Sequence, residues 1–374
     1  MFAFIAVAVV VVIFIYTATT ILISKKLTPQ KIMMLWYIFI ISLAILAFVS
    51  QPTDSGPDIN RYFEQIDAAR KGHSVIAYRG LYVFGLALWL VAKTPYNQLL
   101  QVGAVLLFGY LVGRIVKDYI IRECDRYSTK AILIYFWAAL GGVSASQLLS
   151  GIRTALVCAI WVYCYHFFYE KKKLKFYLFM FGALFLHTLT IGLISMTIVY
   201  SFLEKYFSRK KMVPTIILLL FILLLTRTKL LPTVLKMTGN SYLSMLAGMF
   251  ETYVGYRYYF TEFIVQSLPL IFYVPCALFS YGEAKRERGL MSFTVLVLLA
   301  ASGMFIFYNR LFYAIGLLSF SSLNDIALHN KHRSLYLFVA FISIGVQMLF
   351  GFHAMFSHFL FNGINFRNML LSLL

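Results

Sequence analysis

The sequence predicts an all-α, polytopic membrane protein with about 12–13 hydrophobic helices, most of them near the roughly 20 apolar residues a crossing needs. Three observations predict it. Of 374 residues, 61% are hydrophobic and only 13% charged, and the mean hydropathy is +0.82. Soluble domains carry about 25% charged residues. The apolar residues form continuous runs, without the alternating strands of about ten residues found in outer-membrane barrels. Finally, the basic residues cluster in short loops between those runs, as cytoplasmic loops do. The net charge of +19 would suggest nucleic acid in a soluble chain. Here it reads as topology determinants beside anionic membrane lipids, with a lesser share for an acidic substrate, and no nucleic-acid partner is expected.

Taken in order, the chain is expected to form a single membrane domain over 1–374. The run 2–23 lacks a basic leader and a good cleavage site, so it reads as an uncleaved first helix. Further runs lie at 32–50, 80–92, 97–116, 131–149, 153–169, 174–186, 188–203, 212–226, 263–281, 290–308, 311–328 and 334–361. Pro52, Gly56 and Pro57 break the second helix and open a first outer loop, 51–79. Within it Asp58 suits the N-cap of a short helix through Ala69, with Arg61 and Tyr62 at i+3 and i+4. Run 80–92 is short. The count of crossings between an outer 51–79 loop and a basic 117–130 loop is satisfied if 80–92 dips into the membrane without spanning it. A cysteine at Thr94 is then labelled from outside. Runs 174–186 and 188–203 are expected to cross as a short pair. The basic groups Lys25–Lys31, Arg114–Lys130, Lys171–Lys175, Lys205–Lys211, Lys285–Arg288 and Lys331–Arg333 are assigned to the cytoplasm. The larger loop 227–262 then faces outward. Four cysteines without metal-ligand spacing read as buried thiols, and no metal site or cofactor is indicated.

The candidate site residues lie on the outer side of this scheme. In Ser146-Gln-Leu-Leu-Ser150-Gly-Ile-Arg153, a helix places Ser146, Ser150 and Arg153 on one face. A guanidinium at a membrane edge is either a headgroup anchor or the lining of a polar cavity that holds an anion. His187 sits between two short apolar runs, where it is either a bonded core histidine or a site group. Loop 227–262 carries Arg257 with Tyr253, Tyr256, Tyr258 and Tyr259. These form either an interfacial belt or a platform on which sugars stack. Asn309-Arg310 places another arginine at an outer edge. Carboxylates within the apolar runs are nearly absent, Asp325 being the main exception. Arginines without acids suit a lipid-linked phosphate or diphosphate, which guanidinium grips bidentately.

Dispersed pieces of the chain resemble the EpsG family of Wzy-type polysaccharide polymerases. They are Asp58-Ile-Asn-Arg61-Tyr62, Ser146-Gln-Leu-Leu-Ser-Gly-Ile-Arg153, the basic loop Lys171–Lys175, His187-Thr188, and Asn309-Arg310-Leu-Phe-Tyr313. The chain departs from that pattern at Arg79-Gly80-Leu81-Tyr82, where an acid is expected before the glycine, and at Thr188, where a serine is expected. The resemblance implies a multi-pass bacterial inner-membrane glycosyltransferase with a C-type glycosyltransferase-like membrane core and an outer-face cavity. Its substrate would be an undecaprenyl-diphosphate-linked oligosaccharide, and a chain-length-regulating co-polymerase a possible partner. On that reading Asp58, Arg153 and His187 are catalytic. Arg61, Tyr62, Ser146, Ser150, Tyr256, Arg257, Asn309 and Arg310 bind substrate. An O-antigen ligase-like transferase and a lipid-linked oligosaccharide flippase or transporter are the alternatives.

Overall fold

The computed structural model describes residues 28–53, 58–76, 78–123, 148–203, 230–239 and 287–300, with isolated positions at 244, 247–248, 310–311, 314–318, 338, 342 and 359–361. The runs 2–23, 212–226 and 263–281 lie outside them, as do residues 131–147 and most of 311–361. Two compact units divide the chain: 1–194 with 344–374, and 195–343.

In the first unit, helix α1 (Pro29–Val49) begins at a Thr28 cap that accepts the Lys31 amide, with proline in its first turn. Its buried face, including Ile32, Trp36, Ile40, Leu43 and Ala47, lies against α4 (Leu99–Glu123). Two glycines one turn apart, Gly109 and Gly113, let the helices approach. A Cβ at Gly113 would stand 2.7 Å from Trp36 Nε1, and one at Gly109 2.7 Å from Ile40 Cγ1. This is the small-xxx-small packing of membrane helices. The buried Trp36 indole donates to the Gly109 carbonyl at 2.8 Å, so its N–H is satisfied within the contact.

After α1 the chain extends, since a residue before proline avoids the helical region. Strand β1 (Ser50–Pro52) pairs antiparallel with β2 (Phe359–Phe361). The fold is mostly helical, as the all-α class expects, and one expectation is corrected: the run 334–361 does not stay helical to its end. Helix α2 (Asp58–Arg70) runs one residue past the expected Ala69 and buries Ile59, Tyr62 and Ile66. A 3-10 turn (Tyr78–Gly80) leads into α3 (Tyr82–Ala92). Eleven residues give α3 a length of about 16 Å, short of the roughly 30 Å of hydrocarbon.

Helix α4 corrects the expected end at 116: it continues to Glu123, through residues assigned to a loop. Ile115, Val116 and Ile120 carry its buried face onward, and the charges of Arg114, Lys117 and Asp118 fall within the helix. Asp118 therefore joins Asp325 as a carboxylate within an apolar run. Helix α5 (Ile152–Cys164) packs on α4 and ends in one π-helical turn (Tyr165–Tyr169). Helix α6 (Lys173–Leu184) returns along α5. Helix α7 (Leu189–Leu203) starts in the first unit and enters the second at residue 195. The second unit also holds α8 (Leu230–Met237) and α9 (Glu287–Ala300). There the Tyr200 and Phe293 rings meet at 5.9 Å.

A buried polar knot fixes the start of α5. Gln101, fully buried on α4, donates from Nε2 to the Leu149 carbonyl at 2.8 Å. Its Oε1 lies 3.4 Å from the Ser50 hydroxyl at the end of α1. Gln101→Leu strands the Leu149 carbonyl, and we expect it to cost roughly 1–3 kcal/mol. Thermal unfolding of the variant in detergent measures this. An unchanged Tm would show that the knot contributes nothing.

Candidate functional site

Arg153 lies in the first turn of α5, where Gly151 caps the helix without a side chain and no acid follows. A guanidinium there adds its charge to the positive end of the helix dipole, an arrangement that favours an anion. Three aromatic rings enclose it. Its Cζ stands 5.2 Å from the Tyr62 ring centroid, 5.9 Å from that of Tyr78 and 5.1 Å from that of Phe84. These distances are in the cation–π range. The rings also brace one another, Tyr62 to Phe84 at 4.8 Å and Tyr78 to Phe84 at 5.9 Å, both edge-on. Arg153 Nε donates to the Tyr62 hydroxyl at 2.9 Å. Among the described residues no carboxylate forms an ion pair with Arg153.

Each wall has a sequence cause. Tyr62 is on the buried stripe of α2 with Ile59 and Ile66. The far end of α2 is tied to the α3–α4 turn, because Arg70 donates to the Thr94 carbonyl from Nε at 3.1 Å and from Nη2 at 2.7 Å. Asp67 bridges Arg70 and Asn97. Phe84 is on the buried side of α3. Tyr78 comes from the 3-10 turn, which closes on Gly80 at φ +74°, a backbone value glycine adopts without strain.

Burial pushes the Tyr62 phenol above its ordinary value, and the charge of Asp58 adds to this, while Arg153 opposes it. The hydroxyl therefore stays neutral and does not cancel the arginine's charge. An acid whose folded value is raised gives stability that is present below its unfolded value, about 10, and lost as pH rises through that range. We expect part of the alkaline fall in Tm to vanish in Tyr62→Phe. An identical alkaline fall in both proteins would assign it to other tyrosines.

Asp58 is exposed on the first turn of α2 and pairs with Arg61. His187 is buried in the turn between α6 and α7, where its Nδ1 accepts the Leu189 amide at 2.9 Å. A neutral ring accepting at Nδ1 carries its proton on Nε2, which makes His187 a donor rather than a base. The His187 turn reaches the cage through α3: the Phe84 amide donates to the Phe185 carbonyl at 3.3 Å, and the Tyr82 and Phe185 rings lie 5.9 Å apart. Ser150 is half-buried in the turn before Arg153. Arg310 is half-buried in the second unit. Ser146, Tyr256, Arg257 and Asn309 lie outside the described residues.

Sequence reasoning missed Tyr78 and Phe84. It also missed a second pair at the other end of α5, where His166 Nε2 lies 2.7 Å from Asp118 Oδ2. The spacing of Ile115, Val116 and Ile120 beyond Arg114 was the signal that α4 continues to that pair.

No family model matches the chain, and no curated protein or solved structure matches it. The class rests on the fold itself: a mostly helical membrane protein, in which Pro29–Val49, Leu99–Ile121 and Ile152–Tyr169 are long and apolar enough to cross.

Proposed function

We propose that this protein is a polytopic inner-membrane glycosyltransferase of the Wzy type, which joins oligosaccharide repeat units carried on undecaprenyl diphosphate at the outer face. The observation that supports it is the Arg153 guanidinium, held by three rings at a helix N-terminus with no described carboxylate to neutralise it. In the reaction, the bond from the anomeric carbon to the diphosphate oxygen breaks and a bond to an acceptor sugar hydroxyl forms. The bonding pair leaves with the diphosphate, and the hydroxyl proton passes to a base. Fixed positive charge and the neutral Tyr62 hydroxyl stabilise the departing diphosphate in a site of low dielectric. Asp58 is the base in this scheme, released from Arg61 as substrate enters, and His187 donates from Nε2. Ser150, in the turn before Arg153, adds a substrate contact.

The test is polymerisation of a purified lipid-diphosphate repeat unit by this protein alone, with and without chelator. Polymer in both arms supports the scheme. Loss of polymer with chelator overturns the metal-free arginine mechanism, and no polymer in either arm overturns the polymerase reading.

The Asp118–His166 pair favours a second reading, a proton-linked transporter of lipid-linked oligosaccharide, because such pairs relay protons within membranes. In a strain that makes surface polysaccharide, a deletion separates the two. Loss of a polymerase leaves single capped units on the surface, whereas loss of a flippase leaves units trapped inside.

A further inference from the structure

The end of α5 remote from Arg153 carries a second basic constellation. Arg114 is exposed on α4 although it lies inside the apolar span Leu99–Ile121. Its guanidinium lies beside the Tyr163 phenol of α5. Among the described residues it forms no ion pair. One turn on, Asp118 is already engaged by His166. Beyond the π turn come Lys171, Lys172, Lys173 and Lys175, all exposed, with Glu170 before them. Lys173 Nζ lies 5.4 Å above the Tyr169 ring. From these lysines α6 presents an apolar stripe of Leu174, Leu178 and Phe181, 74%, 60% and 59% exposed, while Phe176, Met180 and Ala183 are buried on its other side.

An arginine facing hydrocarbon is costly unless a phosphate or water reaches it, and lysines beside an apolar stripe match a charged headgroup above acyl chains. We propose that this end of α4, α5 and α6 binds an anionic phospholipid, with Arg114 and Tyr163 holding the phosphate and the lysine turn its surroundings. The occupant is a membrane lipid rather than free phosphate, because the cation sits beside an apolar face. The inference is independent of the glycosyltransferase reading. It also sets a ruler: the 18 residues Ile152–Tyr169 span about 27 Å, so lysines at one headgroup level bring Arg153 to the edge of the other.

The full-length protein is placed in nanodiscs of phosphatidylcholine with or without phosphatidylglycerol, and co-purified lipid is counted by mass spectrometry after detergent extraction. We expect phosphatidylglycerol to be retained over phosphatidylcholine, less so at high salt. Arg114→Gln reduces that retention by about fivefold, and separately the fourfold change of lysines 171, 172, 173 and 175 to glutamine reduces it by more than about tenfold. Lys71→Gln with Lys93→Gln leaves it unchanged. Equal retention of the two lipids overturns the proposal, as does a preference that survives both variants or displacement by millimolar inorganic phosphate. Should Arg114→Gln fail to fold, the exposed lysine variant decides alone.

Discussion

If the proposed polymerase reading holds, we expect Arg153→Ala to cut polymer formation by roughly two to three orders of magnitude and to leave a folded protein. The residue is half-buried, forms no ion pair among the described residues, and spends one donor on Tyr62. Its removal therefore strands no buried charge. The fold loses cation–π contacts worth about 1–2 kcal/mol and one hydrogen bond. In the proposed reaction, turnover loses the group that meets developing charge, a loss of roughly 100- to 1,000-fold in other sites of this kind. Arg153→Lys keeps the charge but not the planar fork or the Nε bond to Tyr62, so it recovers only part of the rate. The measurement is single-turnover transfer on purified lipid-diphosphate substrate, with Tm recorded alongside. Turnover of the alanine variant within threefold of wild type would remove Arg153 from the chemistry. A loss of Tm as large as the loss of rate would make it a structural residue.

Gly85→Ala has the second largest expected effect, and it acts without touching substrate. A Cβ at Gly85 falls on the carbonyl oxygens of Val75 and Ile76 and stands 2.7 Å from the Ile76 carbonyl carbon. Those atoms are backbone, so they cannot rotate away. The segment 75–80 must lift off α3 and take Tyr78, one wall of the arginine cage, with it. We expect destabilisation of about 1–3 kcal/mol and a further loss of activity that the fall in stability does not explain. Gly182→Ala is the control, since nothing lies within 4 Å of its added methyl. There the change is neutral, or stabilising by up to about 1 kcal/mol. Equal Tm values for the two variants would refute the close-approach argument.

Much of the helical scaffold was legible because its signals are local. Asp58, expected to cap α2, stands as its first residue, and the apolar runs at 32–50 and 153–169 lie on α1 and on α5 with its π turn. The run 80–92 was recognisably short, and the helix within it measures eleven residues. Arg153 stood out because charge is scarce in this chain, and Tyr62 through its place one turn after Asp58. What escaped depends on contacts far apart in sequence. Phe84 in an apolar run looks like any lipid-facing residue, and only the packing of α2 on α3 brings it to Arg153. Tyr78 reads as a loop tyrosine until Gly80 turns the chain. The end of α4 was misplaced because Arg114, Lys117 and Asp118 were weighed as loop charges. A helix tolerates them where they snorkel or pair, as Asp118 does with His166. The β1–β2 pair joins residues some 300 apart, beyond any local pattern.

Helix α6, twelve residues and about 18 Å long, falls well short of the hydrocarbon layer, and so does α3. Bilayers adapt to such mismatch by compressing. A bilayer that thins to meet α6 on this flank would bring its headgroups nearer the Arg153 cage.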